Sequence, residues 1–124
     1  MGRLIVDGSN VLGARPDGWW RDRAGARVRL TVAIDEASSA LTQALLGEPD
    51  APVLVVHDGR ELAMQLLRVD VRFAPVADDL IAVLAAPDDL VVTSDRELAY
   101  RATARGAGTL GAGRFRRLLD EAEG

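Results

Sequence analysis

Aspartates at the ends of apolar runs recur along this chain. Arg3-Leu4-Ile5-Val6 leads into Asp7-Gly8-Ser9-Asn10, and Leu90-Val91-Val92-Thr93 leads into Ser94-Asp95. Val69-Asp70-Val71-Arg72-Phe73 is followed, after an Ala-Pro turn, by Asp78-Asp79 at the head of a helical pattern. A carboxylate at the carboxyl end of a strand stands where open α/β sheets place their ligands, in the crevice beyond the strand ends. If the strands are parallel neighbours, the carboxylates meet there. Like charges at 4 Å repel by about 4 kcal/mol per pair at an effective dielectric of ~20. A hard divalent cation bound through oxygen removes that cost.

Such a site needs a sheet to carry it. Apolar runs alternate with helical patterns, which points to an α/β protein with a mainly parallel sheet covered by helices, in a three-layer α/β/α sandwich. Strands are predicted near 3–7, 52–57, 69–73, 90–93 and 107–110, with the first and fourth as neighbours so that Asp7 meets Asp95. Leu30, Ala33, Ile34, Ala37, Leu41, Ala44 and Leu45 recur at spacings of three and four, predicting one long helix over about 27–46 that Gly47 and Pro49 end. Further helices are expected over about 60–67, 78–86, 95–105 and 112–122. Residues 8–26 break periodicity with Gly13, Pro16, Gly18 and Gly25, and read as a long irregular loop bordering the site.

Composition excludes several chemistries. A chain of 124 residues, 48% hydrophobic, can bury one core, so residues 1–124 read as a single domain. With no cysteine there are no disulfides, thiolate metal sites or cysteine nucleophiles, as is usual for a cytoplasmic protein. All 15 basic residues are arginine, which excludes a Walker-type phosphate lysine and a Schiff-base lysine. No signal-like segment or eighteen-residue apolar span occurs, so no membrane is expected. The net charge of -4 argues against gripping nucleic acid by basicity alone. Bound divalent ions, however, reverse the local sign of an acidic site.

Four segments in order carry a family resemblance: Val6-Asp7-Gly8-Ser9-Asn10-Val11, Val55-Val56-His57-Asp58-Gly59, Ala77-Asp78-Asp79-Leu80-Ile81 and Val92-Thr93-Ser94-Asp95-Arg96. Together they resemble the NYN domain, and within it the YacP-like branch of the PIN-like nuclease superfamily. The resemblance implies a PIN-like fold and metal-dependent, endonucleolytic hydrolysis of RNA phosphodiester bonds with Mg²⁺ or Mn²⁺. It implies Asp7, Asp78 and Asp95 as metal carboxylates, with Asp79 and Asn10 supporting them. Ser9, Arg21, Arg23, Ser94 and Arg96 are the candidate substrate contacts. The chain departs from the pattern at Ala82 and Ala99, where related nucleases carry acids.

Each residue also has a plainer reading. Ser94-Asp95-Arg96-Glu97 fits a capping box in which Ser94 caps the helix and Asp95 stays free for metal. Asp78 and Asp79 suit an N-cap or the first turn of a helix. His57, the sole histidine, reads as a satisfied, partly buried residue. Arg21, Arg23, Arg27 and Arg29 form a solvated face or a phosphate grip, arginine suiting bidentate phosphate contact. Trp19 and Trp20 either stack on bases or cover a core edge, a protein partner or a second copy. An aspartyl-nucleophile phosphatase would want a second aspartate two positions after Asp7, where Ser9 stands. The remaining alternative is a degenerate, non-catalytic RNA-binding or protein-interaction module.

Overall fold

The computed structural model describes residues 2–123. Five strands form one sheet in the order β3-β2-β1-β4-β5: β1 Leu4–Asp7, β2 Val53–Asp58, β3 Asp70–Ala74, β4 Leu90–Val92 and β5 Gly108–Leu110. Every pairing in it is parallel. Leu4, Ile5, Val6 and Asp7 are all buried, the continuous pattern of a strand covered on both faces. The first and fourth strands are neighbours as predicted, with Val6 opposite Val92.

Side chains alternate between two cores. Leu4, Val6, Val53, Val55 and Val92 pack with Leu30, Ile34, Leu41 and Phe115, beneath α1 (Gly8–Gly13), α2 (Arg23–Glu36), α3 (Ser38–Leu46) and α6 (Ala112–Glu123). Ile5, Leu54, Val56 and Val91 pack with Ile81, Leu98 and Ala102, beneath α4 (Ala77–Leu84) and α5 (Arg96–Ala104). Burying a side chain such as Ile5 or Phe115 contributes roughly 1.5–3 kcal/mol, so the two apolar layers fix the sheet between its helices. The chain leaves β1 toward β2 on one side and reaches β4 on the other. The topological switch therefore lies between β1 and β4, the place where such sheets open a crevice.

Three expectations are corrected. The helix predicted over 27–46 begins at Arg23 and breaks at Ala37 into α2 and α3. At the break the Ser38 hydroxyl donates to the Asp35 carbonyl at 2.8 Å, a local side-chain bond that competes with the helical ladder. The helix expected over 60–67 is absent, and that segment is irregular. The Asp35 carboxylate takes the amides of Leu67, Arg68 and Val69 at 2.9, 2.8 and 2.9 Å, bonds that a helix ending there would forgo. The irregular stretch expected over 8–26 shrinks to 14–22, itself holding a 3-10 turn at Trp19–Arg21, because Asp7 caps α1 and Asp22 caps α2 through Gly25 N at 3.0 Å. No helix among the described residues is long and apolar enough to cross a membrane.

Candidate active site

Asp7 ends β1 with 2% of its surface exposed. It caps α1 by accepting from Asn10 N at 3.3 Å, and its Oδ2 accepts from the Thr93 hydroxyl at 2.9 Å. Burial pushes its pKa up to about 6; the Thr93 and Asn10 donors pull the other way, while Asp78 and Asp58 add repulsion. Gly8 is required beside it, since a Cβ there would stand 2.4 Å from the His57 ring.

The segment after β4 is tied to the same spot. Thr93 Oγ1, while donating to Asp7, accepts from Asp95 N at 3.1 Å, and Asn10 Oδ1 accepts from Ser94 N at 2.7 Å. Asp95, not Ser94, caps α5, accepting from Leu98 N at 2.9 Å. The Ser94 hydroxyl instead accepts from Ala112 N at 2.8 Å, at the head of α6. The cap is thus shifted by one residue from the expected Ser94, and the capping box is not formed, because Leu98 rather than Glu97 now stands three residues after the cap. Asp95 holds the extended backbone that an N-cap requires, and its carboxylate has a second oxygen to spare.

The structure separates the two aspartates at the start of α4. Asp79 is exposed and paired with Arg101 at 3.0 Å. Asp78 is partly buried, and its pKa is raised by burial and then by Asp95 and Asp58, against the pull of Arg101. Asp58, at the end of β2, accepts from Ala77 N at 2.7 Å and so caps the start of α4. It contributes charge to both Asp7 and Asp78. Asp58 is not among the site residues expected from the sequence, although its place at the carboxyl end of a strand is the same signal that marks Asp7. Four carboxylates, on β1, β2, α4 and the segment before α5, therefore share one field. Among the described residues no three His, Asp or Glu side chains are drawn together as a metal-ligating group.

The remaining candidates surround this cluster. Ser9 Oγ accepts from Asp58 N at 3.1 Å. Arg21, Arg23 and Arg96 are exposed, Arg23 with its guanidinium 5.5 Å from the centre of the Trp19 ring. His57 is fully buried, its Nε2 2.8 Å from the Thr31 hydroxyl. That hydroxyl gives its proton to the Arg27 carbonyl at 2.7 Å, so Nε2 carries the hydrogen and donates. Nδ1 has no partner. Burial and the Arg27 guanidinium lower the His57 pKa to about 4, against Asp58, so the ring is neutral at pH 7. The expectation of a satisfied, partly buried histidine is corrected on both counts. β2 turns this side chain into the α2 core rather than toward the carboxylates.

No protein-family model matches the sequence, and neither does any curated protein. Among solved structures, the chain is similar to Rae1 (YacP) from Bacillus subtilis, with a TM-score of 0.72 and 29% identity over 99% of this chain and 77% of that one. That structure is of a point mutant; a second structure of Rae1 gives a TM-score of 0.71 at 29% identity, over 99% of this chain and 76% of that one. The chain has a YacP-like fold. Within it, the β1–β4 pairing that defines the switch point is the same pairing that brings Thr93 onto Asp7.

Proposed function

We propose that this protein is a metal-dependent ribonuclease of the PIN-like NYN group that hydrolyses RNA phosphodiester bonds endonucleolytically. The observation that carries the reading is the surplus of negative charge at the switch point. Asp7 is buried beside Asp58 and Asp78 with only a hydroxyl and one amide to satisfy it, and it has no ion-pair partner among the described residues. An all-carboxylate donor set suits Mg²⁺ or Mn²⁺, which take hard oxygen ligands. Asp7, Asp78 and Asp95 would hold the ion, with Asp58 in reserve for the acids missing at Ala82 and Ala99. When bound, such an ion supplies a water deprotonated near neutral pH and neutralises the charge that builds on the phosphate.

The chain's own residues do the positioning. Asn10 has its carbonyl oxygen committed to Ser94 N, which leaves its amide nitrogen free to donate to a phosphate oxygen. Thr93 fixes the Asp7 carboxylate and the Asp95 backbone through one hydroxyl. Asp79, turned to Arg101, bridges α4 and α5 at the surface. The absence of a three-residue ligating group among the described residues favours a second reading, a non-catalytic RNA-binding or protein-interaction module.

Melting curves and cleavage assays separate the two. Millimolar Mn²⁺ should raise the melting temperature of the wild type, an ion at one hundred times its Kd adding about 2.7 kcal/mol. Cleavage of loop-containing RNA should require Mn²⁺ or Mg²⁺ and be lost in Asp7→Asn. A wild type that neither gains stability with Mn²⁺ nor cleaves RNA would replace the nuclease with the module.

A further inference from the structure

Beside the acidic cluster, on the far side of Ser9, a cavity of about 250 Å³ opens between α1 and α2, lined by Ser9, Leu12, Trp19, Arg23, Arg27 and Asp58. Its volume falls just under the ~300–1,000 Å³ of sites for drug-sized ligands, a size suited to one planar ring. Trp19 forms one wall. Its ring is held from behind by the core and edge-on by Trp20, at 5.8 Å and 86°. It is therefore a rigid stacking surface whose ordering cost is met in folding.

Two guanidiniums, one turn apart on α2, face the same space. Arg29 on that helix is engaged by Asp22, whereas Arg23 and Arg27 have no ion-pair partner among the described residues. Arg23 leans over Trp19, and the Arg27 guanidinium stands about where a side chain on Gly59 would begin, 3.5 Å from that position, and close enough to His57 to repel its proton. Beside a cluster whose net charge is negative, these two guanidiniums are not engaged in ion pairs among the described residues, so each is free to take a phosphate by direct contact. An aromatic face beside arginine is the chemistry that holds an unpaired base and its phosphate.

We infer that this cavity is a subsite for one nucleotide of single-stranded RNA, the base taking the place of the Arg23 guanidinium over Trp19 and the adjoining phosphate held by Arg23 and Arg27. Ser9 links it to the cluster, because its hydroxyl holds Asp58 N while its backbone belongs to the α1 helix that Asp7 caps. Ser9 also borders a second groove, with Asn10, Ser94 and Ala112, so a strand seated on Trp19 runs past the carboxylates toward the head of α6. The inference rests on reading the cluster as an RNA-cleaving site, and it makes the enzyme select unpaired RNA.

The test is anisotropy of a labelled eight-nucleotide single-stranded RNA with the full chain in chelator, so that binding is read apart from cleavage. Trp19→Leu should weaken binding roughly tenfold, while Trp19→Phe, which keeps a stacking face and the core contact, should restore most of it. Arg23→Gln combined with Arg27→Gln should flatten the slope of log affinity against log salt by about 1.4, the loss of two single-strand phosphate contacts. Arg105→Gln, at the carboxyl end of α5 and away from the groove, should change neither. Asp7→Asn should keep RNA binding and lose cleavage. If the pocket variants weaken RNA while the wild type never cleaves, the subsite stands and the nuclease reading falls. Wild-type affinity and salt slope in the pocket variants, equal binding of polyglutamate, or no RNA binding by the wild type would each overturn the subsite.

Discussion

Asp35 and Asp7 are both buried carboxylates, 6% and 2% exposed, yet they meet opposite surroundings. Asp35 receives three backbone amides, from Leu67, Arg68 and Val69, with the Arg68 guanidinium nearby. Burial pushes its pKa up, but those donors outweigh the push and hold it below the ordinary value. Asp7 receives one hydroxyl and one long amide contact, and two further aspartates lie close enough to repel it. Asp89 resembles Asp35: it takes the amides of Arg3 and Ala86 and the Arg3 guanidinium. Burial alone therefore does not mark a functional carboxylate. A saturated one pins a loop, and an undersupplied one keeps its charge available for something else.

The largest expected effect is on the saturated partner. Asp35→Ala leaves three amides without their charged acceptor and should cost about 3–5 kcal/mol in urea denaturation. A loss below ~1 kcal/mol would mean that segment 59–69 is held by something else. Asp7→Asn should go the other way in metal-free protein. A folded-state pKa raised from 3.8 to about 6 means that folding is not penalised below pH 3.8, increasingly penalised up to about 6, and fully penalised above that. At ~1.36 kcal/mol per pH unit this is roughly 3 kcal/mol, so the variant should gain up to that amount at pH 8 and nothing at pH 3.5. Asp35, with its lowered pKa, should contribute stability above its unfolded pKa that is lost as pH falls through its folded pKa. Stability curves with the same slope for the two sites would erase the distinction.

Two smaller substitutions sharpen it. Asp95→Ala removes the α5 cap and should cost about 1 kcal/mol, while Asp95→Asn, an equally good cap, should stay within a few tenths by thermal melting. A large loss in both would mean that the Asp95 charge is structural. Asp79→Asn, at an exposed ion pair, should change stability by less than ~0.5 kcal/mol. If it matched Asp7→Asn instead, Asp79 would belong to the buried field.

The five strands were legible because each apolar run is bounded by aspartate, glycine or proline, and the observed strands differ from the predicted bounds by about a residue. The helix break at Ala37 was not legible. Leu30, Ile34 and Leu41 keep helical spacing through it, and the cause is a serine hydroxyl on a carbonyl. The missing 60–67 helix hid in Glu61-Leu62-Ala63-Met64, residues of good helix propensity, because Asp35, which takes the amides after it, lies a full helix earlier in the chain. The choice between Asp78 and Asp79 depended on which one Arg101 takes, a contact between helices α4 and α5.

By itself the sequence determined the parallel α/β sandwich and the delivery of Asp7 and Asp95 to strand ends, since strand and turn preferences act over a few neighbouring residues. Tertiary structure alone decided that Asp58 joins the acidic field, that Asp95 rather than Ser94 caps α5, that Asp78 faces inward, and that His57 turns into the core. Those outcomes depend on distant donors and charges competing for the same few oxygen and nitrogen atoms, and that competition exists only after the sheet has brought them together.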